Sequence, residues 1–156
     1  MKIDFLANHP DKKKVVAEMI YEEFVVKTDS VMQFEDVVKY FSNTHKTIFP
    51  ITLVAIEDDE CLGTVSILEN DLKIRRMYKP WLASLYTKPE YRSKGVGQLL
   101  VCKTLEVVKE LGFSELYLRT EDTSEYYRKR GWTFIETVSD DKYEEIHVFS
   151  ISVNCN

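Results

Sequence analysis

The chain has 156 residues, of which 44% are hydrophobic and 30% charged, and its formal net charge is −5. This length and composition predict one soluble domain over residues 1–156, neither membrane-spanning nor disordered. The acidic charge argues against nucleic-acid binding and suits a cationic substrate. No apolar signal segment begins the chain, and Cys61, Cys102 and Cys155 lack metal-ligand spacing, so we predict a cytoplasmic protein with reduced thiols and no metal.

Hydrophobic periodicity predicts the secondary-structure elements in chain order. Alternation over Lys2–Leu6 predicts a first strand, helical spacing from Pro10 to Phe24 predicts a helix, and Ser30 with Gln33 reads as the capping box of a second helix. Further strands are predicted at 51–56, 61–68, 81–87, 115–120, 132–136 and 143–153, and further helices at 95–111 and 122–129. This order, β-α-α-β-β-β-α-β-α-β-β, predicts an α/β fold with a mixed, mostly antiparallel sheet.

The segment from residue 89 to 98 is a basic, glycine-containing turn between a predicted strand and a predicted helix. Backbone N–H groups at a helix N-terminus attract anions, and Gly95 and Gly97 lack a Cβ that would obstruct phosphate oxygens. Arg92 and Lys94 add positive charge. The Walker pattern is absent, and Leu100 replaces the third glycine of a dinucleotide turn. The turn therefore predicts a phosphorylated ligand, and its alternative interpretation is a solvated helix cap.

Two motifs together carry a family resemblance. R-x-x-G-x-G at Arg92–Gly97 resembles the coenzyme A pyrophosphate loop of the GNAT acetyltransferase superfamily, and Glu125–Trp132 resembles the F-Y-x-x-x-G-[FW] segment that closes its acyl-CoA site. The resemblance covers roughly Ile51–Glu136. It implies the GNAT fold, with about four helices and a sheet that splays at the fourth strand. It also implies transfer of an acetyl group from acetyl-CoA, the co-substrate, to a primary amine of a small molecule or peptide.

The resemblance also implies which residues contact acetyl-CoA. The end of the fourth strand would pair with the pantetheine arm and supply a backbone N–H to the thioester carbonyl. Thr120 stands where many members have asparagine, so this contact falls to Thr120, or to Glu121 or Ser124 in its place. The expected cofactor-binding residues are Leu85, Tyr86, Thr87, Arg92, Ser93, Lys94, Gly95, Val96, Gly97, Gln98, Thr120 and Tyr127.

Tyr127 occupies the family position that faces the departing sulfur. An ordinary tyrosine pKa near ~10 exceeds a thiol pKa near ~8.5, so Tyr127 would stabilise the thiolate by a hydrogen bond as much as donate a proton. The basic residues 128–130 would lower the pKa of Tyr127 where they face the site. The alternative interpretation is an aromatic ring that packs the short helix onto the sheet.

An amine acceptor also needs a proton acceptor, because an amine with a pKa near ~10.4 is almost entirely protonated at pH 7. The fourth strand contains no acid. Asp71 and Glu69, just after the third strand, are therefore the leading candidates for the base, with Glu57 behind them. Water-exposed acids at a strand end are the alternative. Tyr78 and Trp81 would wall an acceptor pocket or cover the core edge.

Direct transfer is favoured over an acetyl-enzyme because Cys61 and Cys102 lie in segments that read as core. A GNAT-like domain that binds acyl-CoA without turnover stays open as the second function, while Leu100 disfavours a dinucleotide-binding domain. The three histidines form no catalytic or metal-binding pattern, which indicates structural roles. We expect no membrane partner, and a homodimer is left open.

Overall fold

The computed structural model describes residues 1–28 and 31–154. Seven strands form one sheet, hydrogen-bonded in the order β1-β2-β3-β4-β5-β7-β6. They are β1 (Lys2–Phe5), β2 (Ile51–Glu57), β3 (Glu60–Leu68), β4 (Trp81–Thr87), β5 (Glu115–Thr120), β6 (Thr133–Val138) and β7 (Ile146–Ser152). Strands β4 and β5 are parallel, with Trp81 opposite Tyr117, whereas β1–β2, β2–β3, β5–β7 and β6–β7 are antiparallel.

Four α-helices lie in the described part of the chain: α1 (Lys13–Ile20), α2 (Phe34–Ser42), α3 (Val96–Glu110) and α4 (Ser124–Arg128). A π-helical turn, Tyr21–Val25, extends α1, and Gly112 follows α3 with a φ of 94°. Of these helices, none is both long enough and apolar enough to cross a bilayer. The predicted element order and the mixed, mostly antiparallel sheet are thus confirmed, with boundaries that differ by a few residues.

Ser30, predicted to cap α2, lies outside the described residues. Gln33 caps α2, and its backbone N–H donates to the Asp36 carboxylate over 3.1 Å.

The prediction that Cys102 lies in the core is wrong, because its side chain is exposed. Cys102 is two residues from buried Leu100 and from buried Thr104, which is about 200° around a helix in either direction. The argument from burial against an acetyl-enzyme therefore holds for Cys61 only.

The chain forms two compact units, Met1–Ile67 with Ser84–Thr104, and Leu68–Ala83 with the chain from Leu105 onward. In the first unit, the apolar faces of α1 and α2 pack together and against β2 and β3. Each large apolar side chain buried in this way contributes about 1.5–3 kcal/mol. The buried members of this cluster include Leu6, Val16, Ala17, Met19, Ile20, Val37, Phe41, Val54, Ile56 and Cys61.

Gly63 in β3 marks a close approach between backbones within the first unit. A Cβ at this position would lie 2.7 Å from the carbonyl oxygen of Tyr86 and 3.3 Å from the Cα of Thr87. Next to this contact, the backbone N–H of Lys88 donates to the carbonyl of Leu62 over 2.9 Å. The end of β4 can lie this near β3 only because residue 63 has no side chain.

In the second unit, the connection between β3 and β4 contributes to a buried cluster. Leu72 packs in this cluster with Trp81 and with Ile146 and Val148 of β7. Tyr78 stacks on Tyr117 with 4.8 Å between ring centroids and an interplanar angle of 6°. The connection is therefore part of the packed structure of this unit.

The Glu136 cluster (Arg75, Tyr78 and Glu136) anchors the same connection on β6. Arg75 donates from Nε and Nη2 to the two carboxylate oxygens of Glu136, each over 2.9 Å, and the Tyr78 hydroxyl donates over 2.6 Å. The hydrogen bonds from Arg75 and then Tyr78 lower the pKa of Glu136 to about 2. A bidentate arginine pair of this kind fixes orientation as well as distance.

We expect Gly63→Ala to destabilise the protein and disturb the end of β4. The new Cβ would meet backbone atoms, so the strands must shift, at a cost of about 1–3 kcal/mol in the free energy of unfolding. Chemical denaturation measures this loss, and hydrogen exchange should show faster exchange at residues 85–87. Gly112→Ala is the control, because its Cβ would meet no atom within 4 Å and it adds only a left-handed alanine, about 1–2 kcal/mol. A Gly63→Ala protein as stable as wild type, with unchanged exchange, would contradict this account.

Candidate active site

The basic turn leads directly into α3. Ser93 and Gly95 both have left-handed backbones, with φ values of 64° and 83°. A Cβ on Gly95 would meet no atom within 4 Å, so the space beside this glycine is open. The first α-helical bond runs from the N–H of Leu99 to the carbonyl of Gly95. The N–H groups before Leu99 are the ones that a helix leaves without intrahelical partners, and they can bind an anion.

Arg92 and Lys94 are exposed, and each side chain also contacts a neighbouring part of the protein. Arg92 donates from Nε to the carbonyl of Thr87 over 2.9 Å, with its guanidinium 5.4 Å from the centroid of the Tyr86 ring. Lys94 places its Nζ 5.8 Å from the centroid of Tyr91. Arg92 therefore joins the turn to the end of β4 while its remaining N–H donors can still reach a phosphate.

The backbone of β4 is irregular before the residues expected to contact pantetheine. Ser84 has a φ of 54°, a left-handed value within a strand, which interrupts the regular alternation of its peptide groups. Leu85, Tyr86 and Thr87 follow and are partly buried. An interrupted strand can offer main-chain donors to a ligand instead of to a neighbouring strand.

Tyr127 lies on α4 within an aromatic cluster of the second unit. Its ring centroid is 5.1 Å from that of Tyr126, 6.0 Å from Trp132 and 6.5 Å from Phe149. Burial, followed by the neighbouring Tyr126, raises the pKa of Tyr127 to about 12, and Arg130 lowers it only in part. Arg130 therefore acts in the direction expected of a flanking basic residue, but burial outweighs it and the pKa of Tyr127 is raised.

The guanidinium groups beside Tyr127 face other rings. Arg130 lies 3.6 Å from the centroid of Tyr126, and Arg128 lies 5.1 Å and 5.5 Å from Phe134 and Phe149. Both guanidinium groups therefore lie over aromatic faces other than that of Tyr127.

Thr120 directs its hydroxyl toward the start of α4. The Thr120 hydroxyl oxygen lies 2.5 Å from that of Thr123 and accepts the Thr123 backbone N–H over 3.0 Å. The Thr120 side chain is also buried. Of the three residues considered for the pantetheine contact, Glu121 and Ser124 are thus more accessible than Thr120.

Asp71 lies in the connection between β3 and β4, within the second unit. Burial raises the pKa of Asp71 to about 6; the positive charge of Arg119 opposes this rise, and Glu121 adds to it. Arg119 donates to the Asp71 carbonyl over 3.4 Å and lies 3.5 Å from Glu121 and 4.0 Å from Asp140. Asp71 is therefore a carboxyl group that changes protonation near neutral pH, next to an arginine already shared by two other carboxylates.

The other candidates for the base differ from Asp71 in their surroundings. Glu69 is exposed, and Glu57 lies 3.2 Å from the backbone nitrogen of Met1. Tyr78 is occupied in the Glu136 cluster, and Trp81 is fully buried with its Nε1 donating to the Tyr78 carbonyl over 2.6 Å. Trp81 therefore belongs to the core, which decides between the two roles considered for it.

The three histidines contact separate partners. His9 lies 2.8 Å from Asp4, His45 lies 3.0 Å from Asn43, and His147 lies 2.9 Å from Thr137. Within residues 1–28 and 31–154, no three histidine, cysteine or acidic side chains come close enough to hold a metal ion.

Sequence reasoning did not identify three residues that shape these sites. A lone glycine inside an apolar strand, such as Gly63, signals close backbone approach and could have been found. Arg119 and Glu136 carry no such signal, because their partners Asp71 and Arg75 are 48 and 61 residues away in the chain.

Comparison with known proteins gives a family and a fold. The model of the acetyltransferase (GNAT) family matches residues 16–132, about three quarters of the chain. The search of curated protein sequences finds no match to this chain.

Solved structures resemble the chain over nearly its whole length. An aminoglycoside 6'-N-acetyltransferase complexed with coenzyme A has a TM-score of 0.79 at 15% identity, over 100% of this chain and 99% of that one. The aminoglycoside 6'-N-acetyltransferase of Enterococcus faecium has a TM-score of 0.75 at 15% identity, with the same coverage. YncA of Salmonella typhimurium, solved with its cofactor acetyl-CoA, has a TM-score of 0.69 at 13% identity, over 100% and 95% of the two chains.

Proposed function

The chain belongs to the GNAT acetyltransferase family, and we propose that it moves an acetyl group from acetyl-CoA to a primary amine by direct transfer. The observation that carries this proposal is the turn before α3. It combines two left-handed residues, open space beside Gly95 and two exposed cations at a helix N-terminus. Those are the features that a diphosphate needs.

The residues of the turn fit the diphosphate of acetyl-CoA. The backbone N–H groups of Val96, Gly97 and Gln98 would bind phosphate oxygens, with Lys94 and the free N–H donors of Arg92 adding charge. Main-chain groups of residues 85–87 would pair with the pantetheine arm and donate to the thioester carbonyl, where negative charge develops. The thioester supplies the activated acetyl group.

Asp71 is our proposal for the group that receives the amine proton, directly or through water. A base must be deprotonated at the working pH and still accept a proton readily. A carboxylate with its pKa raised to about 6 meets both conditions at pH 7 better than an ordinary aspartate does. Glu69 is the second choice, because its carboxylate is exposed to solvent in the same connection as Asp71.

Tyr127 is our proposal for the group beside the departing sulfur. With a pKa of about 12, against about 8.5 for a thiol, complete proton transfer to the thiolate would be uphill by about 5 kcal/mol. Tyr127 therefore acts as a hydrogen-bond donor to the sulfur, and the proton that the thiolate finally takes comes from solvent or from the acceptor amine.

The acceptor that we propose is a cationic amine of a small molecule or a peptide. The net charge of −5 and the carboxylates of Asp71, Glu121 and Asp140 around a single Arg119 favour a positively charged acceptor. Two structural neighbours are aminoglycoside acetyltransferases by name, so aminoglycosides belong in any panel of acceptors.

The second candidate is a domain that binds acyl-CoA without turnover. It is favoured by the high pKa of Tyr127 and by the Thr120 hydroxyl, which is occupied by Thr123 instead of being directed to a ligand. Thiol release from acetyl-CoA, measured with an aminoglycoside, a polyamine and a lysine peptide, separates the two functions. We expect release with at least one amine; binding of acetyl-CoA without release from any amine would favour the second candidate.

Gly95→Val tests whether the basic turn binds the coenzyme. Its Cβ is free of protein contacts, so the substitution affects chiefly the space open to a ligand, at about 1–2 kcal/mol of backbone strain. We expect coenzyme A to bind about tenfold or more weakly by calorimetric titration. An unchanged affinity in the folded variant would refute the assignment of the turn.

Asp71→Asn should lower activity and raise stability at pH 7. If Asp71 is the base, the variant loses about 10²–10⁴ in kcat/KM near neutral pH and recovers in part at high pH, where neutral amine is abundant. The wild-type kcat/KM should rise with pH through a limb near 6.

The same group affects stability. Because folding raises the pKa of Asp71, its contribution to the free energy of unfolding is fully present below about pH 3.8 and is lost as the pH rises to about 6. Thermal unfolding should therefore show Asp71→Asn above wild type at pH 7. Glu69→Gln tests the second choice and should keep its activity if Asp71 is the base; equal activity of Asp71→Asn would exclude Asp71.

Tyr127→Phe should lower kcat with little change in the KM for acetyl-CoA. The substitution removes a hydroxyl while the ring contacts with Trp132 and Phe149 remain, so the fold should survive. Loss of a hydrogen bond to the departing sulfur predicts a decrease of about 10- to 1000-fold. Tyr126→Phe, on an exposed neighbour, is the matched control and should be milder. If both variants turn over like wild type, Tyr127 has a packing role only.

A further inference from the structure

The tip of the β2–β3 hairpin contacts the segment that leads into the basic turn, within the first unit. Glu60 accepts the Tyr91 hydroxyl on Oε1 over 2.9 Å, and its Oε2 lies 3.5 Å from the Nζ of Lys88. We call these three residues the Glu60 cluster. Lys88 immediately precedes the 3₁₀ turn Pro89–Tyr91, and Tyr91 is its last residue, next to Arg92. Glu60 therefore holds both ends of this turn at once.

The Glu60 cluster is linked to Arg92 and Lys94 of the basic turn, which we call the coenzyme turn from here on. The Tyr91 ring that Glu60 fixes is also the ring over which Lys94 lies, at 5.8 Å from the centroid. Arg92, the next residue, is fixed on its other side by the Thr87 carbonyl. Of the two cations that we assign to the diphosphate, Lys94 thus lies over the ring that Glu60 contacts, and Arg92 directly follows the residue that carries this ring.

The turn needs such support because its backbone is strained. Ser93 has a φ of 64°, and a left-handed residue other than glycine costs about 1–2 kcal/mol. Strained conformations persist only where the surrounding structure determines them. The side-chain contacts that hold this segment include the Glu60 cluster, the Arg92–Thr87 bond and the Lys94–Tyr91 contact. They add to the backbone bonds that Tyr91 and Arg92 donate to the carbonyls of Lys88 and Pro89.

We propose that Glu60 is a positioning residue for coenzyme binding, which acts through Tyr91 and Lys88 to preorganise the turn at Arg92–Gly97. The inference rests on the proposed function, because it needs this turn to be the coenzyme site. A preorganised turn does not have to be ordered by the ligand, so a larger part of the interaction free energy contributes to affinity.

The sign of the effect separates positioning from simple electrostatics. Coenzyme A carries several negative charges, so removal of a nearby carboxylate should tighten its binding if charge alone matters. Positioning predicts the opposite, since loss of Glu60 releases the turn. Glu90 is the matched control, because it is an exposed glutamate in the same 3₁₀ turn and outside the Glu60 cluster.

The experiment is calorimetric titration of the full chain with coenzyme A at fixed ionic strength. We expect Glu60→Ala to bind about threefold to tenfold more weakly and Tyr91→Phe to lose a smaller factor. The double variant should be within twofold of Glu60→Ala, because both changes remove the same contact. Glu60→Gln should lie between Glu60→Ala and wild type, since its amide oxygen still accepts the Tyr91 hydroxyl. Glu90→Gln should bind as tightly as wild type or more tightly.

Hydrogen exchange of the free protein gives a second measurement. In Glu60→Ala, exchange should accelerate at residues 90–95 and remain unchanged in β5 and β7. In steady-state kinetics with an amine that the enzyme accepts, the KM for acetyl-CoA should rise while kcat stays the same. Equal or tighter binding by Glu60→Ala, or weaker binding with unchanged exchange at 90–95, would overturn the proposal. If wild type does not bind coenzyme A at all, the proposed function fails and this inference with it. If wild type binds and Glu60→Ala behaves like Glu90→Gln, only this inference fails.

Discussion

The close approach of β4 to β3 at Gly63 is the constraint on which the coenzyme turn depends. The Tyr86 carbonyl and the Thr87 Cα occupy space that any side chain at residue 63 would fill. Thr87 then provides the carbonyl that fixes Arg92, and Lys88 is hydrogen-bonded to Leu62. The backbone contacts of β4 with β3 thus position the carbonyl of Thr87 to which the Arg92 side chain then binds.

The buried Asp71 carboxylate lowers the stability of the protein at neutral pH. Asp71 is held where burial opposes its ionisation, and Arg119, which opposes that effect, is shared with Glu121 and Asp140. A fold selected only for stability would place an uncharged residue there. Perturbed acids of this kind cluster at functional sites, and the proposed role of Asp71 gives this one a reason.

The element order and the basic turn could be predicted from sequence because their signals are local. Strand alternation, helical spacing and the R-x-x-G-x-G pattern each extend over a few residues, and the left-handed backbone at Gly95 agrees with that pattern. Cys102 was misplaced because the segment reads as apolar on both faces, whereas only the face with Leu100 and Thr104 is buried.

The electrostatic properties of the candidate site could not be predicted in this way. The pKa of Tyr127 is raised chiefly by burial, and Arg130 lowers it only in part. Burial is a property of the packed structure. Likewise, the contact between Glu60 and Tyr91 joins residues 31 positions apart, and no local pattern marks either of them as a partner of the other.

The two described cysteines differ in a way that makes α3 accessible to chemical labelling. Burial raises the pKa of Cys61 to about 11, so at neutral pH its sulfur is a protonated thiol enclosed in the core. Cys102 is exposed on the helix that begins at the turn. A maleimide fluorophore therefore discriminates between these two sulfurs, because Cys102 is accessible whereas Cys61 is enclosed and protonated. Attached at Cys102, within two helical turns of Gly95, such a dye would report optically on the environment of this helix without a substitution in the turn itself.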